Sequence, residues 1–328
     1  QSVPAEVLGA AFDQVMAGDA TPAQMAALLV GLRVKGETAA EVAAVVRAMR
    51  RVMVPLNAER PDELVDTCGT GGGTIQTFNI STAAALVAAG AGVRVAKHGN
   101  RSFTTRSGSA DVLEALGVSI DVPVATMERS LQEAGLVFMF APLMHPAMRY
   151  VGPVRGELSI PTVMNIVGPL ANPAGAGRQV IGVADAHRAP LLAGALAELG
   201  SRHVMVVHGQ GMDEISPLAT SHVVELRDGQ VREWDIDPTA LGLGGADRDD
   251  LAGGSPQENA ATILAVLRGK ANRGATAAVL LNAGAALYVA GKANSFEAGV
   301  AAAEVALNSG AGLDALDRLR RALAPNPQ

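Results

Sequence analysis

Three short segments between Leu64 and Gly117 carry residue types that can hold an anion. The first is Gly69-Thr70-Gly71-Gly72-Gly73, the second Asn79-Ile80-Ser81-Thr82, the third Lys97-His98-Gly99-Asn100-Arg101-Ser102. A glycine run lets backbone N–H groups approach an anion with no Cβ in the way and permits positive φ. Asn, Ser and Thr are good residues to open a helix, and Ala83-Ala84-Ala85-Leu86-Val87 continues as one. A helix start offers free N–H groups and partial positive charge, which suit phosphate. Lys97 and Arg101 add full charge, Asn100 and Ser102 add hydrogen bonds, and Gly99 permits close approach. Each segment alone could be a tight turn between strand and helix. Together they point to phosphate. The glycine run is not a Walker A loop, because no Gly-Lys-Ser/Thr follows it, and it lacks the G-x-G-x-x-G of a dinucleotide loop.

A second pair of residues, Asp213-Glu214, sits in Gly211-Met212-Asp213-Glu214-Ile215-Ser216, just after the apolar run His203 to Gly209. Adjacent carboxylates at the carboxyl end of a strand suit Mg²⁺, a hard cation shared with substrate phosphate. A surface turn explains such a pair equally well. Arg149 and Arg155 lie six residues apart and need not share a helix face. Cys68, the one cysteine, rules out an intrachain disulfide and reads as a small buried residue.

The elements that must position these groups follow from periodicity. Val7, Leu8, Ala11, Phe12, Val15 and Met16 recur at helical spacing; Thr21-Pro22 starts a second helix and Glu41 to Met49 is a third. From Val65, short apolar runs alternate with helices, the pattern of a parallel sheet with crossover helices. Strands are expected at 93–96, 137–140, 180–183 and 203–209, with a hairpin turning at Asp228-Gly229. Ser109 is expected to cap a helix that runs to Leu116, and residues 145–158 to form a helix interrupted at Pro153. The fold class is α/β: a small all-helical N-terminal domain over 1–62, with a return segment near 150–175, and a large α/β domain over 63–328 with a mainly parallel central sheet flanked by helices. Hydrophobic residues make up 49% of the 328, enough for a large core, and only 3% are aromatic, so packing relies on Ala, Val and Leu. A net charge of −6 argues against a basic nucleic-acid-binding face. No uninterrupted run of apolar residues reads as a membrane span and no signal peptide is visible at Gln1, so a cytoplasmic protein is expected.

GTGG, TFNIST, KHGNR and GSADVLEALG, in this order and spacing, resemble the anthranilate phosphoribosyltransferase family, as do the His145-to-Arg155 segment and the Asn165-to-Pro173 turn. The resemblance spans essentially the whole chain. It implies transfer of the phosphoribosyl group from phosphoribosyl pyrophosphate to anthranilate, the second step of tryptophan biosynthesis. It places phosphoribosyl pyrophosphate against Gly69, Gly72, Gly73, Thr77, Asn79, Ile80, Ser81, Thr82, Lys97, His98, Gly99, Asn100, Arg101, Ser102, Phe103, Thr104, Thr105 and Ser109. It places anthranilate against Gly69, Asn100 and Arg155, whose planar guanidinium can grip a carboxylate through two hydrogen bonds. It assigns Mg²⁺, two per monomer, to Ser81, Asp213 and Glu214, and implies a homodimer formed through the helical domain. His98 is the only imidazole in these loops, but an aromatic amine needs no strong base, so His98 is not assigned as a catalytic residue. The family usually has Asp where this chain has Gly73, and a second Arg where it has Gly156. The first departure is expected to raise the Mg²⁺ requirement. Asn282, in a small-residue helix, is assigned no chemistry. Two other readings remain: a pyrimidine nucleoside phosphorylase of the same fold, and a non-enzymatic relative that binds nucleic acid.

Overall fold

The computed structural model describes residues 2–102 and 106–324. Three helices open the chain: α1 (Ala5–Ala17), α2 (Pro22–Lys35) and α3 (Ala39–Val52). Their starts are set locally. Thr21 accepts the Gln24 N–H while the Gln24 side chain returns to Thr21, and Thr38 and Glu41 repeat the arrangement for α3.

The α/β part follows as β1 (Val65–Asp66), α4 (Ile80–Gly90), β2 (Val95–Gly99), α5 (Ser109–Ala115), α6 (Val124–Glu133) and β3 (Leu136–Phe140). After α7 (Ala141–Met144) and α8 (Met148–Leu158) come β4 (Arg178–Gly182), α9 (Ala189–Glu198), β5 (His203–His208), β6 (Ser221–Arg227) and β7 (Gln230–Ile236). Four helices close the chain: α10 (Pro256–Leu267), α11 (Arg273–Val289), α12 (Phe296–Asn308) and α13 (Ala311–Ala322). The seven strands form one sheet in the order β3-β2-β1-β4-β5-β6-β7. All pairings from β3 to β5 are parallel, and β6 and β7 are antiparallel. The β6–β7 hairpin turns at Asp228 and Gly229, both at positive φ (48° and 80°), as a tight turn matched to strand twist requires.

Alternation along the strands splits the core. Met205 and Val207 of β5 face α4, α11 and their neighbours, while Val204 and Val206 face α9. The second cluster also takes in Phe12, Leu29, Val45 and Val151, so α1, α2, α3 and α8 share a core with one face of the sheet.

Three expectations change. β2 runs over Val95–Gly99, later than 93–96, so Lys97, His98 and Gly99 are strand residues. Gly108, not Ser109, caps α5; Asp111 reaches back to the Gly108 N–H. And α8 continues through Pro153 without a break; Pro153 is on the exposed side, where a carbonyl deprived of its partner can bond water. Among the described residues no helix is long and apolar enough to cross a membrane.

Candidate active site

Strand order reverses at β1: β2 and β3 lie on one side of it, β4 and β5 on the other. Ligands of open α/β sheets bind outside the carboxyl ends of strands at such a switch point. A cleft of about 780 Å³ opens there. The glycine loop leaves β1 and folds across the ends of β4 and β5. Thr70 N–H donates to the Gly182 carbonyl (2.9 Å) and Gly71 N–H to Asp213 Oδ2 (2.9 Å). Gly71 and Gly72 take φ of 71° and 88°, which explains their type. Gly182 is required for another reason, since a Cβ there would stand 1.4 Å from the Asp213 carbonyl oxygen.

Lys97 is the buried cation of the site, 3% exposed. Its Nζ donates to the Thr67 carbonyl (3.0 Å), Thr67 Oγ1 (3.2 Å) and Ser81 Oγ (3.4 Å). Below it, Asp66 is fully buried and accepts from His98 N–H (3.2 Å) and Asn172 Nδ2 (2.7 Å). Burial pushes its carboxyl up to about 6 against the pull of Lys97. His98 packs against His145, with ring centroids 5.0 Å apart and planes tilted by 55°. Burial, with His145 beside it, lowers the His98 imidazole to about 3, so at neutral pH it is uncharged and a weak proton acceptor.

Asn79 precedes α4 without capping it through its side chain. Its amide is tied elsewhere: Nδ2 donates to the Ser107 carbonyl (3.1 Å), and Oδ1 accepts from Ser107 Oγ (3.2 Å) and Asn259 Nδ2 (2.9 Å). Arg101 pairs with Asp111 (2.8 Å) and Glu114 (2.6 Å) on α5.

Asp213, Glu214 and Ser81 meet at a small chamber behind the cleft, lined also by Thr67, Gly69 and Asn282. Burial raises both carboxyls, Glu214 well above its ordinary value with Asp213 adding repulsion. Glu214 Oε2 is buried with no hydrogen-bond partner among the described residues. Two carboxylates, one with an orphaned buried oxygen, and a hydroxyl nearby fit hard cations that take their remaining ligands from water and substrate. A Cβ at Gly73 would stand 3.2 Å from Asp213 Oδ1, so a carboxylate at this position would join the same cluster.

The cleft therefore collects Gly69, Gly72, Gly73, Thr77, Asn79, Ser81, the run from Lys97 to Ser102, Ser109, Arg155, Asp213 and Glu214. Arg155 faces the loops from α8, and burial lowers its basicity. Ile80 and Thr82 do not line it: their side chains are buried, at 0% and 2%, and their N–H groups donate to the Phe78 (2.7 Å) and Asn79 (3.1 Å) carbonyls. Phe103, Thr104 and Thr105 lie outside the described residues.

A helical-bundle model of a glycosyl transferase family matches residues 1–53, and the a/b-domain model of that family matches 61–313. An anthranilate phosphoribosyltransferase from Anaeromyxobacter sp. (strain K) is 50% identical over 306 residues, 93% of this chain and 90% of the relative. One from Rubrobacter xylanophilus is 50% identical over 312 residues, 95% and 91% of the two chains. The chain belongs to the anthranilate phosphoribosyltransferase family. A family member of known structure, from Thermus thermophilus, superposes with a TM-score of 0.93 at 44% identity, over 98% of this chain and 96% of that one. The Saccharomyces cerevisiae member, solved with phosphoribosyl pyrophosphate and Mg, gives a TM-score of 0.87 at 27% identity over 98% and 93%.

Membership of this family covers the fold but leaves several contacts unread in the sequence. Asp66, Thr67, Asn172, Asn259 and Asn282 all support the site or line it. Asp66 and Asn282 each stand in an apolar run, and a lone polar group in a buried element demands a partner. That signal was present; the identity of the partner was not.

Proposed function

We propose that this chain transfers the 5-phosphoribosyl group of phosphoribosyl pyrophosphate to the amine of anthranilate, releasing pyrophosphate, as the second step of tryptophan biosynthesis. The convergence of the glycine loop, the start of α4, the end of β2 and Asp213-Glu214 on one cleft, with Arg155 across it, carries this reading. In this reading the labour divides among the residues of the cleft. The backbone N–H groups of Gly72, Gly73 and Ser81, with Lys97, hold the ribose phosphate and diphosphate. Arg155, Asn100 and Gly69 hold anthranilate, with the guanidinium on the carboxylate. Asp213 and Glu214 would hold one Mg²⁺ and Ser81 would contact a second; their charge would offset that developing on the leaving diphosphate. His98, neutral and buried, supports β2 and does not take the proton. The residues orient the amine toward the ribosyl carbon and exclude water, so positioning and charge stabilisation do most of the catalysis.

The domain boundaries at 62 and 63, with the return segment near 150–175, belong to this reading. They are supported by the packing of α8 with α1 and α2. So does a homodimer through the helical domain, supported by the exposed Val7 (60%) and Val34 (81%).

Anthranilate fluorescence tests the reaction. Its loss should require both phosphoribosyl pyrophosphate and Mg²⁺. In Arg155→Ala the KM for anthranilate should rise about 10-fold or more, as loss of a charged carboxylate contact costs upward of ~1.4 kcal/mol. The KM for phosphoribosyl pyrophosphate should stay within about twofold. No consumption at any Mg²⁺ concentration would overturn the reading.

A further inference from the structure

We infer that Asn282, on α11 and outside every substrate-binding segment assigned above, is a positioning residue that fixes the Asp213-Glu214 pair for its cation. The inference rests on the reading of that pair as a cation site. Asn282 is 5% exposed, between Leu281 and Ala283, both fully buried. A polar amide in such a helix is costly unless satisfied. Here it is satisfied by one distant residue: Oδ1 accepts the Ile215 N–H (3.1 Å) and Nδ2 donates to the Ile215 carbonyl (2.9 Å). Nδ2 also donates to the Ala278 carbonyl in its own helix (2.9 Å).

The Ile215 N–H belongs to the peptide that joins Glu214 to Ile215, and the Ile215 carbonyl to the next peptide. One side chain therefore sets the planes of both peptides that follow Glu214. The pattern also explains the residue type. Two carbonyls need donors and one N–H needs an acceptor, which an amide supplies; a carboxylate has no donor and leucine has neither.

The tether has work to do. Two adjacent half-buried carboxylates repel, and Glu214 Oε2 is buried with no partner among the described residues, so this backbone gains by swinging Glu214 toward solvent. Asn282 opposes that while carrying no charge of its own, which leaves both carboxylates available to a cation. It lines the same chamber as Ser81, Asp213 and Glu214.

The test is Mn²⁺ affinity, measured by calorimetry on the whole protein with phosphoribosyl pyrophosphate, for the parent, Asn282→Ala and Asn282→Asp. Residues that orient metal ligands are worth 10–100-fold in metal affinity. We expect Mn²⁺ to bind about 10-fold or more weakly in the folded variants, with the KM for anthranilate within about twofold of the parent. Loss of thermal stability with an unchanged Mn²⁺ Kd would overturn the inference and leave Asn282 a packing residue. Should neither variant fold, hydrogen exchange at Ile215 in the metal-free parent decides. Protection equal to the α11 core supports the tether, and exchange as fast as an exposed turn overturns it. A parent that binds Mn²⁺ but consumes no anthranilate would remove the proposed reaction and leave the tether standing. A fully active parent beside variants of unchanged Mn²⁺ affinity would do the reverse.

Discussion

Glu225 is fully buried on β6 and Glu214, in the loop after the neighbouring β5, keeps its Oε2 buried, yet their surroundings are opposite. Glu225 accepts from His203 Nε2 (2.8 Å) and Tyr288 Oη (2.9 Å) on one oxygen. Its other oxygen accepts from Arg232 Nε (2.9 Å) and Trp234 Nε1 (2.8 Å). Burial opposes ionisation there, but these bonds outweigh it and hold the carboxyl down at about 2. Glu214 has burial, a like charge next to it and an orphaned oxygen. Burial alone thus does not distinguish a structural carboxylate from one waiting for a ligand. Hydrogen-bond satisfaction does.

Exchange of each acid for its amide should break the two regions in different ways. Glu214→Gln removes a charge that the metal-free protein gains little from. Turnover should fall by about 10²–10³-fold, the scale of losing one electrostatic group at a reacting centre. Thermal stability of the metal-free protein should hold or rise. Glu225→Gln leaves buried donors facing an amide. It should cost about 1–3 kcal/mol in a urea titration, as leaving a buried hydrogen-bonding group unsatisfied does. Its kcat/KM, once folded, should stay near the parent value. A Glu225 variant that folds normally but loses turnover would erase the distinction.

The acid limb of stability sharpens the same comparison. Glu225 is lowered in the folded state, to about 2 from 4.5, so its contribution is present above pH 4.5 and is lost as pH falls toward 2. Asp66, raised to about 6 from 3.8, acts with the opposite sign: what it contributes is present below pH 3.8 and lost as pH rises through 6. The difference between parent and Glu225→Gln urea curves should therefore shrink from pH 4.5 to pH 2. A difference that stays constant through that window would mean the carboxylate is not the group responsible.

Gly73 gives a smaller effect. A Cβ there meets the Gly211 carbonyl at 3.0 Å and Asp213 Oδ1 at 3.2 Å, so aspartate fits only with a slight shift. Gly73→Asp brings a third carboxylate to the pair. Half-saturating Mg²⁺ should fall about 3- to 10-fold, within the range of one altered contact around a metal. Stability without metal should fall by about 1 kcal/mol through like-charge repulsion. An unchanged Mg²⁺ profile would show that a carboxylate at this position is of no consequence.

Local signals were legible where local chemistry decides structure. The Thr21-Pro22 helix start and the Asp228-Gly229 hairpin follow from capping and turn rules alone. The register of β2 did not, because Lys97 and His98 look like loop residues until Thr67 and Ser81, from other segments, accept the ammonium in the interior. Asn79 reads as a side-chain cap of α4, yet its amide is held by Ser107 and by Asn259 on α10. The helix around Asn282 showed a lone amide but not that Ile215 would close on it. What escaped the sequence in each instance is a side chain paired across the fold, which no spacing within one element encodes. Residue types suited to phosphate and Mg²⁺ were visible; the groups that hold them in place were not.

Trp234→Phe tests the lower limit of the Glu225 side. The ring contact with Phe296 can survive, since phenylalanine keeps an aromatic face there, but Nε1 and its bond to Glu225 Oε2 are lost. Arg232 still donates to that oxygen, and His203 and Tyr288 to the other, so the carboxylate stays ionised and partnered. The cost should be that of one hydrogen bond to a charged group in a half-buried place, about 1 kcal/mol, read from a urea midpoint. Turnover should be unchanged. The measurement is informative because β5 connects the two regions: His203 at its start binds Glu225, and the loop beyond its end carries Asp213 and Glu214. A cost confined to stability means that β5 transmits nothing along its length. A several-fold loss of turnover would mean that small shifts at His203 reach the metal carboxylates through the strand, and the two glutamates would then have to be treated as one coupled system.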